Sequence, residues 1–251
     1  MGCSRQELGD FLDDLLQPQR FSDYCPNGLQ VEGRDQIEHL VCGVTASQAL
    51  IDAAVSAGAD ALLVHHGYFW RSESPTVTGM KARRIRALMQ ADISLFAYHL
   101  PLDCHPELGN NACLGRLLEL PDPRPLDPDD ENLPLFTDTF DAPVAMDVVV
   151  GRLAAGLDRE PLSVGEGSVQ SVAWCTGAGQ NYIDRAADAG ADLFVTGEVS
   201  EQTIHIARER GLCFIAAGHH ATERYGIQAV TARAAEALGC SHEYIEIDNP
   251  A

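Results

Sequence analysis

Ala61-Leu62-Leu63-Val64-His65-His66-Gly67-Tyr68-Phe69-Trp70 sets four apolar residues directly before two adjacent histidines and a run of aromatics. Four apolar residues without alternation are the pattern of a short strand buried on both faces, as in a parallel sheet. Successive strand side chains face opposite sides, so His65 and His66 converge only where the strand runs out and the backbone bends. Imidazole is the commonest protein metal ligand. A His-His pair alone is more often a pair of surface or packed histidines, so its meaning rests on the remaining chain.

Outward from this stretch, strand and helix patterns alternate. Leu8, Phe11, Leu12, Leu15 and Leu16 share one face of a helix over 5–16, stopped by Pro18. A turn with a short extended piece covers 23–33. Residues 39–44 predict a strand, 47–57 a helix, 81–90 a basic helix and 93–98 a strand. Gly109-Asn110-Asn111 opens a helix to about residue 118. Further on, strands are expected at 146–150, 169–174, 193–196, 212–217 and 242–247. Helices are expected from 182, up to 210, and over 222–238. Such alternation predicts an α/β protein with mixed or mostly parallel sheets.

Residues 121–134 hold five prolines and five acidic residues, a composition expected of a linker. The expected organisation is a discontinuous metal-binding lobe of 1–123 and 218–251, and a second α/β lobe of 134–217. An internal echo supports two similar lobes. Residues 46–64 align with 178–196 at an offset of 132 with nine identities, Ala46, Gln48, Ile51, Asp52, Ala54, Ala57, Gly58, Ala59 and Asp60. A looser pairing at an offset of 120 sets His99 on His219 and Asp103 on Glu223.

With 251 residues, 45% hydrophobic and 22% charged, the chain has the balance of a globular protein. Its formal net charge of -20 repels phosphate backbones, which makes nucleic acid an unlikely partner outside the basic helix of Lys81, Arg83, Arg84 and Arg86. Eight cysteines contain no Cys-x-x-Cys clip, several lie in apolar runs, and no signal or membrane segment is evident. These features predict a reduced, cytoplasmic protein with no membrane partner.

Polar groups then collect at predicted strand ends: His65 and His66, His99 with Asp103, Glu198, and His219 and His220 with Glu223. Ligands gather at the carboxyl ends of parallel strands. Taken singly, Glu223 in a first helical turn serves as a helix cap and Asp103 as a turn residue. Taken together, three histidines and two carboxylates suit zinc, manganese or ferrous iron. Five donors exceed what one catalytic ion needs, and a bridging carboxylate would let two ions use them all. No phosphate-binding Gly-Lys loop, dinucleotide fingerprint or nucleophile elbow competes.

Pro26-Asn27-Gly28-Leu29-Gln30-Val31-Glu32-Gly33, Gly43-Val44-Thr45-Ala46-Ser47, His65-His66-Gly67-Tyr68-Phe69-Trp70, Tyr98-His99-Leu100-Pro101-Leu102-Asp103, Gly197-Glu198 and Gly218-His219-His220-Ala221-Thr222-Glu223 together resemble the signature of the GTP cyclohydrolase type 2 homologues. These dinuclear-metal proteins are also called NGG-interacting-factor-like. The resemblance implies two α/β lobes per subunit, a metal site at the strand ends between them, and six subunits in a toroid. It implies two divalent metal ions (Zn, Fe, Mn or similar) on His65, His66, Asp103, His219 and Glu223, with Glu223 bridging. His99 and Glu198 are the catalytic candidates for moving a proton. The expected function is metal-dependent hydrolysis of a small, nucleotide-like substrate. The alternative is a metal-storage, metal-delivery or scaffold protein without turnover.

Overall fold

The structure, a computed structural model, describes residues 2–130 and 132–251. The chain begins with β1 (Cys3–Ser4) and α1 (Arg5–Leu16). Ser4 and Glu7 close a capping box at the start of α1, each side chain accepting the other's backbone N–H. Then follow β2 (Gly28–Val31), β3 (Gln36–Ile37), β4 (His39–Thr45), α2 (Gln48–Ala57), β5 (Ala61–His66), α3 (Gly79–Ala91), β6 (Ser94–Ala97) and α4 (Leu100–Cys104). The next stretch holds α5 (Asn110–Leu117), β7 (Arg124–Pro125), β8 (Phe136–Ala145), α6 (Met146–Leu157), β9 (Leu162–Val164) and β10 (Ser168–Cys175). It continues with α7 (Ile183–Asp188), β11 (Leu193–Thr196), α8 (Glu201–Arg210), β12 (Cys213–Ala216) and α9 (His219–Thr222). The last elements are α10 (Arg224–Leu238) and β13 (Ser241–Tyr244).

Two compact units result, Met1–Leu102 with Ile227–Asp248, and Asp103–Gly226 with Asn249–Ala251. The first contains a five-stranded sheet in the order β13-β4-β5-β6-β2, parallel except for the antiparallel edge β2. Its core packs Leu50, Ile51 and Ala54 of α2 and Leu88 of α3 on Val41, Leu62, Val64 and Leu95. The second contains a six-stranded sheet in the order β7-β8-β10-β11-β12-β9, in which β10, β11 and β12 are parallel and the other pairs antiparallel. The fold is mixed α/β, as expected.

The internal echo is structural. Gly58 and Gly190 both end their helices with positive φ, 73° and 82°. Asp60 Oδ2 accepts from the backbone N–H groups of Glu38 and His39 at 2.8 and 2.9 Å. Asp192 Oδ2 accepts from Gln170 and Ser171, both at 2.9 Å. Each aspartate thus pins the start of the preceding parallel strand, β4 or β10. The likeness reaches further than the aligned residues: α1 and β2 before β4 correspond to α6 and β9 before β10. The strand register also corrects the looser pairing. Tyr98 N–H donates to Val64 O and Ala217 N–H donates to Thr196 O, so Tyr98 corresponds to Ala217. The offset at these strands is one residue shorter than 120, and His99 falls on Gly218.

Three expectations change. Residues 146–150 are helical, because their apolar run continues as Met146, Val149, Leu153 and Leu157 on one buried helical face. The acidic Pro-rich segment lies inside the second unit and does not separate the two. There Arg124 and Pro125 pair with β8, Leu126 N–H donates to Leu135 O at 2.8 Å, and Leu133 is buried. Its Glu131 falls outside the described residues. The unit boundaries therefore lie at 102/103, 226/227 and 248/249, not at 123, 134 and 218. Finally, β8 runs beside β10 where no strand was expected. Its alternating buried residues, Phe136, Asp138 and Phe140, follow directly on that proline-rich stretch.

Candidate metal centre

In the first unit, β5 carries both histidines within its span instead of ending before them. His65 is buried and its Nδ1 donates to Tyr98 O at 2.9 Å, just past β6. His66 leans the other way, with Nδ1 3.1 Å from Thr45 Oγ1 at the end of β4. Although adjacent in a strand, the rings lie 4.5 Å apart between centroids. His99 joins them, 5.1 Å from His65 and 5.9 Å from His66. The three residues each offer a ligand atom within 4.8 Å of the others.

His99 is held from behind. Its Nδ1 lies 2.7 Å from Oδ1 of the buried Asp23. The same carboxylate accepts from Tyr24 N at 2.6 Å, Leu100 N at 2.9 Å and Asn27 Nδ2 at 2.9 Å. Burial alone would raise the Asp23 pKa, but the His99 hydrogen bond and charge, with the Asn27 and Leu100 donors, hold it down at about 2. A carbonyl or carboxylate accepts only, so Nδ1 carries the proton in His65 and His99, and the neutral ring has its lone pair at Nε2.

In the second unit, Asp103 of α4 and Glu223, which follows α9, are buried, with carboxylate oxygens within 4.8 Å of one another. Asp103 Oδ1 accepts from Asn110 Nδ2 at 2.8 Å and Thr176 Oγ1 at 3.2 Å. Asn110 Oδ1 in turn accepts from Gly226 N at 3.1 Å. His219 has Nε2 3.3 Å from Glu223 Oε2 and Nδ1 2.7 Å from Glu198 Oε1. Gln180 Nε2 donates to the other Glu198 oxygen at 3.1 Å. Burial works against charge on His219, yet the Glu223 and Glu198 carboxylates outweigh it and raise its pKa to about 9. Gly177, at φ 63°, leaves the space Glu223 occupies, since a Cβ there would meet Glu223 Oε1 and stand 3.3 Å from His219 Nε2.

This donor chemistry fits divalent metal. Two buried carboxylates this close repel unless a cation or a proton lies with them. Histidines whose Nδ1 is anchored on a carbonyl or carboxylate are the usual form of metal-binding imidazole. Sequence reasoning placed the donors but missed their supports, Thr45, Asp23, Asn27, Asn110, Thr176, Gly177 and Gln180. The Asn110-Asn111 pair was visible only as a helix start. His220 is buried, and its backbone N–H donates to Ala251 O at 3.2 Å.

A family model described as Duf34/NIF3 (NGG1p interacting factor 3) matches residues 3–250. The chain belongs to this family. A GTP cyclohydrolase 1 type 2 homolog from Pasteurella multocida is 52% identical over 248 residues, 98% of each chain. A protein of the same name from Pseudomonas aeruginosa is 51% identical over 252 residues and is covered completely. Among solved structures, protein ybgI, described as of unknown function, is 49% identical with a TM-score of 0.93, covering 99% of this chain and 100% of that one. TTHA1606 from Thermus thermophilus is 35% identical with a TM-score of 0.90 at the same coverage. Among the described residues of this family member, no helix is long and apolar enough to cross a membrane.

Proposed function

We propose that this Duf34/NIF3 protein is a metal-dependent hydrolase of a small, nucleotide-like substrate, with two divalent ions held by His65, His66, Asp103, His219 and Glu223. The carrying observation is the buried Asp103–Glu223 carboxylate pair beside His219, a concentration of negative charge that calls for cations. The name GTP cyclohydrolase 1 type 2 homolog borne by its relatives supports the substrate class. Two such ions supply water activation near neutral pH and polarisation of the bond under attack.

The remaining work falls to the chain's own residues. His65 and His66 offer Nε2 from rings steadied at Nδ1. His219 is turned by Glu198, so Glu198 acts by orienting His219. His99 receives and returns a proton at Nε2, while Asp23 holds its Nδ1–H. In this reading the protein works in the cytoplasm as a homohexameric toroid.

The test is elemental analysis and turnover of metal-replete protein over a panel of purine and pyrimidine nucleotides. Near two ions per subunit are expected, with loss of both metal and turnover in His65→Ala and Glu223→Ala. Two ions without turnover on any nucleotide would favour storage or delivery. Turnover unchanged in both variants would remove these residues from the chemistry.

A further inference from the structure

The loop after β5 is built as a platform. Phe69 sits at φ 66°, a conformation that a bulky residue rarely adopts and that clusters at ligand sites when the surroundings enforce it. Here they do. Phe69 N–H donates to Glu73 Oε2 at 3.0 Å, and Lys81 Nζ lies 3.2 Å from the same oxygen. Lys81 also donates to Ser74 O at 2.6 Å and stands 5.5 Å from the Phe69 ring centroid. The consequence is the placement of Trp70. Its Nε1 donates to Gly67 O at 3.3 Å, and its ring lies 4.9 Å from His99 and 5.9 Å from His66. On the facing loop, Tyr24 is 56% exposed with its ring 6.2 Å from His99, and Arg71 N–H donates to Tyr24 O at 2.8 Å, tying the two loops.

Trp70 is half-buried and Tyr24 and Phe69 are exposed, and none of the three belongs to the buried core of the first unit, so the loop spends its strain on holding aromatics beside the histidine cluster. We propose that Trp70, with Tyr24 beside it, is the recognition platform for a planar heteroaromatic ring, stacking the base of a nucleotide next to His66 and His99. Every base has a π-face, and an indole anchored at Nε1 meets it without losing rotamer freedom. The inference rests on the metal reading only for what the bound ring is presented to.

The chain has two tryptophans, and the other, Trp174, is fully buried. Quenching by a stacked ring therefore reports on Trp70. Metal-replete protein is titrated with guanosine 5′-monophosphate and, as the ringless comparator, ribose 5-phosphate. Saturable quenching by the nucleotide alone is expected, with Trp70→Phe retaining binding by calorimetry. Trp70→Ala should weaken the nucleotide by roughly 5- to 150-fold, the range of one base–aromatic stack. Equal binding of ribose 5-phosphate, no binding of the nucleotide, or unchanged affinity in Trp70→Ala would each overturn the platform. Elemental analysis of the same samples separates the two readings. A metal-loaded protein that ignores the nucleotide refutes the platform and the nucleotide class of the substrate, while the metal site stands. A protein that takes up no metal refutes the metal reading, and the titration still judges the platform.

Discussion

Gly177→Ala tests whether Glu223 is placed for metal or merely for packing, and Gly190→Ala is its control. Both glycines have positive φ, 63° and 82°. A left-handed alanine costs about 1–2 kcal/mol at either position. For a chain of this size that lowers Tm by roughly 2–8 °C. The positions differ in their surroundings. A Cβ on Gly190 meets nothing within 4 Å, whereas one on Gly177 enters the Glu223 carboxylate and reaches His219 Nε2 at 3.3 Å. Glu223 is nearly fully buried and has little room to step aside. Gly177→Ala should therefore weaken metal binding by about 10- to 100-fold, the usual result of disturbing a ligand's support. Gly190→Ala should leave metal affinity unchanged at a similar Tm. Competition against a chromophoric chelator, with thermal melts of the metal-free proteins, reads both quantities. Equal metal affinity in the two variants would refute the argument that this glycine makes room for a ligand.

Two further outcomes follow from features outside the donor set. Asp60 is buried, accepts two strand-start N–H groups and pairs with Arg34 Nη1 at 2.7 Å, whereas its counterpart Asp192 is exposed. Asp60→Ala should cost about 2–4 kcal/mol in urea unfolding and Asp192→Ala less than half of that, since charged hydrogen bonds count for more when desolvated; equal costs would contradict this. Burial pushes the Cys42 thiol up to about 11, despite the opposing Thr231 hydrogen bond. The unfolded thiol ionises first, so this stabilisation is intact below about pH 9 and is lost as pH rises toward 11, on the order of 2–3 kcal/mol. Cys42→Ala should flatten the alkaline fall in stability, and an unchanged slope would assign it to other groups.

Much of the fold was legible because its signals are local. The apolar runs of β4, β5, β6, β11 and β12, the Ser47 cap and the Gly-Ala-Asp turns are each short-range patterns. The failures have equally physical causes. Met146 to Val150 is a β-branched run that fits strand or helix until Leu153 and Leu157 settle the period. The alternation of β8 begins directly after a proline-rich stretch, and proline composition suggested a linker where Arg124 and Pro125 in fact pair at a sheet edge. An edge position tolerates proline because its missing N–H needs no ladder partner.

What the sequence by itself determined was the family, the α/β alternation, the duplicated helix–turn–strand and the identity of the candidate donors, since each depends on residue type and spacing. Only the tertiary structure decided how those donors are held. It brought His99 beside His65 and His66, set Asp23 behind His99, paired Glu198 with His219, and reserved space at Gly177 for Glu223. Those partners lie tens of residues apart in the chain. A hydrogen bond from His65 to Tyr98 O or from Asn110 to Asp103 exists only once strands and helices have packed. No periodicity along the chain encodes it.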